Sequence, residues 1–149
     1  MVGYPFKDSM KQKFLIESPQ DFQKVISFLK PQLKAGSLIL IFGELGAGKT
    51  TFIRVFVKEL LGSGQSVASP SFALAQLYEG KNLSLLHVDG FRLKSRDAEI
   101  EAYLEEEIDA KEKIIAVEWP ERFSINWPKD AFKIKIERLK NGKRVVSLN

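Results

Sequence analysis

Two rhythms of apolar and polar positions run through this chain, and together they mark its elements. Phe14-Leu15-Ile16 predicts a short early strand. Phe22, Val25, Ile26 and Leu29 recur at the spacing of one helix face, with Ser18 placed as N-cap, Pro19 at the first helical position, Asp21 adding negative charge and Pro31 ending or kinking the helix. The unbroken run Leu38-Ile39-Leu40-Ile41-Phe42 predicts a buried strand. Helical spacing returns in Ile53, Phe56, Val57, Leu60 and Leu61, and Gly62 is a natural stop. Two β-prone runs, Phe72 to Tyr78 and Leu83 to Val88, flank the turn-rich Glu79-Gly80-Lys81-Asn82 and predict a hairpin.

Ile100, Tyr103, Leu104 and Ile108 predict a further helix, and Ile114-Ile115-Ala116-Val117 a second fully buried strand. Near the C-terminus Phe132, Ile134 and Ile136 alternate with Lys133, Lys135 and Glu137; Asn141-Gly142 is a type I′ turn signal, after which Val145 to Leu148 returns. Strands interleaved with helices predict an α/β fold: a mostly parallel central sheet flanked by helices, with antiparallel strands at its edges. One domain over residues 1–149 is expected, its first eleven residues loose.

Composition changes this picture little. The 149 residues are 44% hydrophobic and 28% charged, ordinary for a globular protein. With no cysteine, disulfides and thiolate metal sites are excluded. No apolar run approaches the ~20 residues that cross a bilayer, and the N-terminus lacks a signal-peptide core, so a cytoplasmic protein is expected. The net charge of +4 permits contact with nucleic acid without demonstrating it. Charge is uneven: eight acids against Lys111 between residues 97 and 112, seven basic residues against Asp130 and Glu137 between 129 and 149. Such asymmetry can steer a partner, but two solvated faces are the expected reading.

The chemistry gathers behind the first buried strand. Gly43-Glu44-Leu45-Gly46-Ala47-Gly48-Lys49-Thr50 fits G-x-x-x-x-G-K-[ST] at every fixed position, between a predicted strand and a predicted helix. Glycines let successive N–H groups turn toward phosphate oxygens, and the following helix aims its positive end at the same place. Lys49 then reaches the β- and γ-phosphates, and the Thr50 hydroxyl can join a Mg²⁺ shell, with Thr51 beside it.

Such a site needs acids at neighbouring strand ends. Asp89 ends Leu85-Leu86-His87-Val88, and Glu118 ends Ile114-Ile115-Ala116-Val117. Either can hold the ion or orient the attacking water. His87 is expected as a packed or hydrogen-bonded core residue. Arg92 pairs with Asp89, neutralises phosphate charge or is a plain surface arginine. Glu44 is expected as a solvated loop position. Ser69 and Ser71 occupy a polar, proline-broken segment that is either an ordinary loop or a switch sensing the γ-phosphate or the ion. Trp119-Pro120-Glu121 either fixes Glu118 or covers the core edge. Nothing in the sequence reads adenine over guanine.

Four stretches together resemble the TsaE (YjeE) family of small bacterial ATPases in tRNA threonylcarbamoyladenosine biosynthesis: the phosphate loop through Thr51, Ser69-Pro70-Ser71-Phe72, His87-Val88-Asp89-Gly90-Phe91-Arg92 and Val117-Glu118-Trp119-Pro120-Glu121. The resemblance covers about Phe14 to Leu148. Departures are Glu44 for the family's loop aspartate, Ser71 for its switch threonine, Phe91 for its tyrosine and Gly90 for its leucine; the glycine usual near Tyr103 is missing. The resemblance implies an ATPase using ATP and Mg²⁺, with TsaB and TsaD as partners and hydrolysis supporting or resetting their transfer to tRNA. It also implies that Lys49 binds phosphates, Thr50 and Asp89 serve Mg²⁺, and Glu118 serves the ion or the water, with Ser71 in the switch. Neither membrane nor DNA is an expected partner. A small-molecule kinase and a nucleotide-dependent scaffold with little turnover share the loop and remain the alternatives.

Overall fold

A computed structural model describes residues 12–62, 74–93 and 95–149. Residues 1–11, expected to be loose, and Ser69, Ser71 and Phe72 lie outside the described residues. Seven strands form one sheet: β1 (Gln12–Ile16), β2 (Leu38–Phe42), β3 (Ala75–Glu79), β4 (Ser84–Asp89), β5 (Ile114–Glu118), β6 (Phe132–Arg138) and β7 (Arg144–Leu148). Their order is β1-β7-β6-β2-β5-β4-β3. β4, β5, β2 and β6 run parallel in the centre, and β3, β7 and β1 pair antiparallel toward the edges. This is the expected α/β architecture.

The two apolar runs lie at the middle because both of their faces are covered. Side chains alternate across a strand, so Ile39 and Ile41 join one buried cluster with α1 (Phe22–Leu29) and α2 (Lys49–Leu61). Leu38, Leu40 and Phe42 join the other, with Leu104 of α3 (Ala98–Ala110). Phe52 is fully buried between the helices, edge-on to Phe22 at 5.6 Å and stacked on Phe56 at 5.7 Å. That aromatic column fixes α2, and with it the phosphate loop, against the sheet.

Three local expectations gain detail and one is corrected. As expected, Ser18 is an N-cap with Pro19 first and Asp21 in the first turn, here a 3₁₀ turn, Pro19–Asp21, that leads into α1; α1 ends at Leu29, and Pro31 sits in the 3₁₀ turn Lys30–Gln32 that follows. Tyr103 is 41% exposed, and Glu101 is buried on α3 in its place. Glu101 accepts from the Arg96 side chain at 3.0 Å and from the Ser124 backbone at 2.7 Å, so the buried carboxylate is paired rather than stranded. The Asn141-Gly142 hairpin forms, but not through a type I′ turn. That turn needs positive φ at both central residues, and Asn141 is not among the residues with positive φ. Instead the Gly142 N–H closes a turn on the Leu139 carbonyl, Gly142 takes φ 83°, and the Leu139 N–H bonds the Lys143 carbonyl, the pattern of a bulged three-residue loop.

Truncating Phe52 to alanine removes the column's centre. The expected loss is about 3–5 kcal/mol of unfolding free energy, read from urea denaturation. A loss below about 1 kcal/mol would show that the helices are held to the sheet by other contacts.

Candidate functional site

The phosphate loop leaves β2 at Gly43 and enters α2 at Lys49. Gly46 and Gly48 take φ 79° and 112°, conformations that a side chain would strain. The first-turn amides of α2 have no partner within the helix, so the loop presents donors and a positive dipole end together. Lys49 is buried, and its ammonium donates to the carbonyls of Gly43 at 2.5 Å and Glu44 at 2.8 Å while lying 4.3 Å from the Trp119 ring centroid. Burial lowers its pKa, opposed by the charges of Glu118, Glu121, Asp89 and Glu44. The Glu44 side chain is exposed, as expected, and it is the backbone of Glu44 that serves the loop.

Both strand-end acids stand beside the loop. In the parallel register Ile41 lies opposite Glu118, and Glu118 opposite Asp89. The Thr50 hydroxyl donates to Glu118 Oε1 at 3.3 Å. Glu118 Oε2 lies 2.5 Å from His87 Nε2, both side chains being buried. Asp89 Oδ1 accepts from the Phe91 N–H at 3.0 Å. Burial, and then the charge of Glu118, raise the Asp89 pKa. Glu121, three residues beyond Glu118, is also raised by burial.

Gly46, Gly48, Lys49, Thr50, Thr51, Leu45, Asp89, Glu118 and Arg92 line one cleft of about 430 Å³. Gly43 and Glu44 open instead onto a neighbouring hollow bounded by β6, and Ala47 is buried beneath the loop. Trp119 and Phe91 form the far wall, their rings 5.5 Å apart, with the Arg122 guanidinium 5.0 Å from the Trp119 centroid. Trp119 thus covers Lys49 directly rather than only the core edge, and Phe91 contributes a plain aromatic ring where the resembled family has a phenol.

One contributor was not anticipated. Arg144, at the start of β7, donates to the carbonyls of Ala47 at 3.1 Å and Gly46 at 3.4 Å, bracing the loop from the opposite side. Its only sequence signal was membership of a basic run, and nothing local marks a contact with residues almost a hundred positions earlier.

A family model described as "Threonylcarbamoyl adenosine biosynthesis protein TsaE" matches residues 16–146. Among curated relatives, "tRNA threonylcarbamoyladenosine biosynthesis protein TsaE" of Rickettsia conorii is 33% identical, covering 89% of this chain and 75% of the relative. The protein of the same description from Aquifex aeolicus is 35% identical, with 92% and 95% covered. The crystal structure of YdiB from Bacillus subtilis superposes with a TM-score of 0.70 at 26% identity, covering 92% of this chain and 83% of that one.

The Asp89 shift has a consequence for stability. A folded-state pKa raised above the unfolded value means that the native protein binds the proton more tightly, so stability falls as pH rises through the window between the two values and the loss is complete above the folded pKa. Asparagine keeps the acceptor for the Phe91 N–H and removes the charge. Asp89→Asn is therefore expected to raise Tm by a few degrees at about pH 7, the gain fading as pH falls into the ordinary carboxylate range. Thermal melts followed by circular dichroism at both pH values check this; an unchanged or lower Tm near neutrality contradicts it.

Proposed function

The chain belongs to the TsaE family of threonylcarbamoyladenosine biosynthesis proteins, and from that membership and its cleft we propose a Mg²⁺-dependent ATPase whose hydrolysis supports or resets the TsaB–TsaD complex that modifies tRNA. The observation that carries this reading is the convergence of the Lys49 ammonium, the Thr50 hydroxyl and the carboxylates of Glu118 and Asp89 in one cleft at the start of α2. The loop amides and Lys49 bind the triphosphate, the ammonium exchanging loop carbonyls for phosphate oxygens. Gly48, Thr51 and Arg144 also border a smaller pocket of about 140 Å³ between the loop and the turn at Ser18, which gives the sugar and base a place to lie.

The donor set suits magnesium. A hydroxyl and two carboxylates are hard oxygen ligands, and no group of three acidic, histidine or cysteine side chains forms a complete metal cage among the described residues. Mg²⁺ commonly takes one or two carboxylates, with phosphates and waters filling the other positions. When bound, the ion supplies neutralisation of the charge on the β- and γ-phosphates. Glu118, bonded to the Thr50 hydroxyl, would share that ion. Asp89, which lines the same cleft and whose Oδ1 accepts from the Phe91 amide, would take a hydrogen bond from the attacking water and orient it. Hydrolysis then requires no acceptor substrate, which separates this reading from a kinase.

Lys49→Ala is expected to weaken ATP binding at least about 30-fold, the scale of removing one member of a buried charge pair, by calorimetry. Unchanged affinity would displace the site. Asp89→Ala and Glu118→Ala are expected to lower hydrolysis by about 10²–10³-fold while changing nucleotide affinity far less. These rates are to be measured with TsaB–TsaD present, which is expected to raise the turnover of the parent protein. Parent-rate hydrolysis in both variants would remove the chemistry from these acids; a phosphorylated small product would favour the kinase.

A further inference from the structure

His87 is the single histidine of the chain, fully buried on β4 at a position that the mechanism above does not use. Its Nε2 lies 2.5 Å from Glu118 Oε2. Its Nδ1 is also buried and has no hydrogen-bond partner among the described residues. Buried polar atoms are nearly always paired, and an exception at a site asks for a functional explanation. An imidazole kept with one nitrogen unsatisfied is explained when the N–H at the other nitrogen is what the site requires.

A free carboxylate offers two oxygens and turns about its last bond. In Glu118 each oxygen has a separate neighbour: the His87 ring at Oε2 and the Thr50 hydroxyl at Oε1. Glu118 is 2% exposed, so solvent does not compete for either contact. With Oε2 held by the ring, the side chain cannot swing, and Oε1 alone faces Thr50 and the cleft.

We propose that His87 is a positioning residue that locks Glu118 as a one-oxygen ligand for the cation of a Mg²⁺–nucleotide. The inference rests on the nucleotide reading of the cleft. It assigns the ring a directed task, in which the Nε2–H fixes which oxygen the cation meets. A ring that merely filled core space would be replaceable by any side chain of equal volume.

Because there is one histidine, ¹⁵N-histidine labelling of the full chain gives a single imidazole to observe by long-range ¹H–¹⁵N NMR. A proton on Nε2 is expected; a neutral ring protonated at Nδ1 overturns the proposal, and this arm needs no variant. The second arm measures Mn²⁺ affinity of the ADP complex by electron paramagnetic resonance, with ADP affinity in EDTA measured by calorimetry. His87→Phe is expected to weaken Mn²⁺ binding about tenfold or more, the scale seen when a partner of a metal ligand is removed, and to leave metal-free ADP affinity unchanged. His87→Gln, whose amide N–H reaches the same place, is expected to restore most of the Mn²⁺ affinity. Equal Mn²⁺ affinity in the parent and His87→Phe overturns the proposal, as does an equal loss in the Gln and Phe variants. A parent protein that binds neither ADP nor Mn²⁺–ADP overturns the nucleotide reading itself and the ligand role with it; intact parent binding with indifferent variants overturns this inference alone.

Discussion

Parallel pairing of β2 with β5 and of β5 with β4 brings three strand ends level, and the charges of the cleft depend on that alignment. Lys49 loses hydration on burial, and its pKa falls; Asp89 is penalised in the opposite sense by burial and by Glu118. Burying either charge alone would be costly. Side by side, cation and carboxylates offset one another. Because side chains alternate along a strand, a slip of β5 by one residue would carry Glu118 to the opposite face and break its contacts with both Thr50 and His87. The apolar runs that fix the register therefore also fix the site, since Ile39, Ile41, Ile114 and Ala116 cannot leave their cluster without exposing it.

The scaffold was legible where one local rule decided the outcome. Unbroken apolar runs became central strands, and the glycine-rich loop fell between a strand and a helix, as its chemistry requires. Asp89 and Glu118 were legible because each directly follows an apolar run in a chain that also carries the phosphate loop. What escaped was whatever a second segment decides. Tyr103 has the spacing of a core residue, yet Glu101 turns inward because Arg96 and the Ser124 amide satisfy it. Asn141-Gly142 announces a hairpin, but its twist is set by Gly142 alone in the left-handed region. Arg144 and the pairing of His87 with Glu118 depend on strand order and register, which no single stretch encodes.

Of the two non-glycine residues with positive φ among the described residues, one lies beside the chemistry. Trp119 follows Glu118 directly and sits at φ 55°, ψ 51°, a left-handed conformation that costs a bulky residue about 1–3 kcal/mol. The fold holds it there from several sides. The Trp119 carbonyl accepts from the Arg122 N–H, the Phe91 ring packs tilted against its ring, and Lys49 and Arg122 both face it. Gly90 belongs to the same arrangement. A Cβ there would come within 2.6 Å of the Phe123 ring and 2.9 Å of the Trp119 carbonyl. Glycine in place of the leucine of the resembled pattern is thus matched to a large aromatic at 123, and the change keeps the turn closed rather than loosening it.

That closed turn bears on catalysis because Gly90 also donates its N–H to the Glu118 carbonyl at 2.9 Å. The backbone of Glu118 is tied to the loop behind Asp89, while its side chain is tied to His87 and Thr50. An acid restrained at both ends pays little reorganisation when charge develops nearby, which is the condition under which fixed dipoles and carboxylates accelerate a reaction most. The strained tryptophan, the small residue at position 90 and the buried imidazole are therefore parts of one device. Each removes a freedom that Glu118 would otherwise have, and the stability given up at Trp119 is the counterpart of that rigidity.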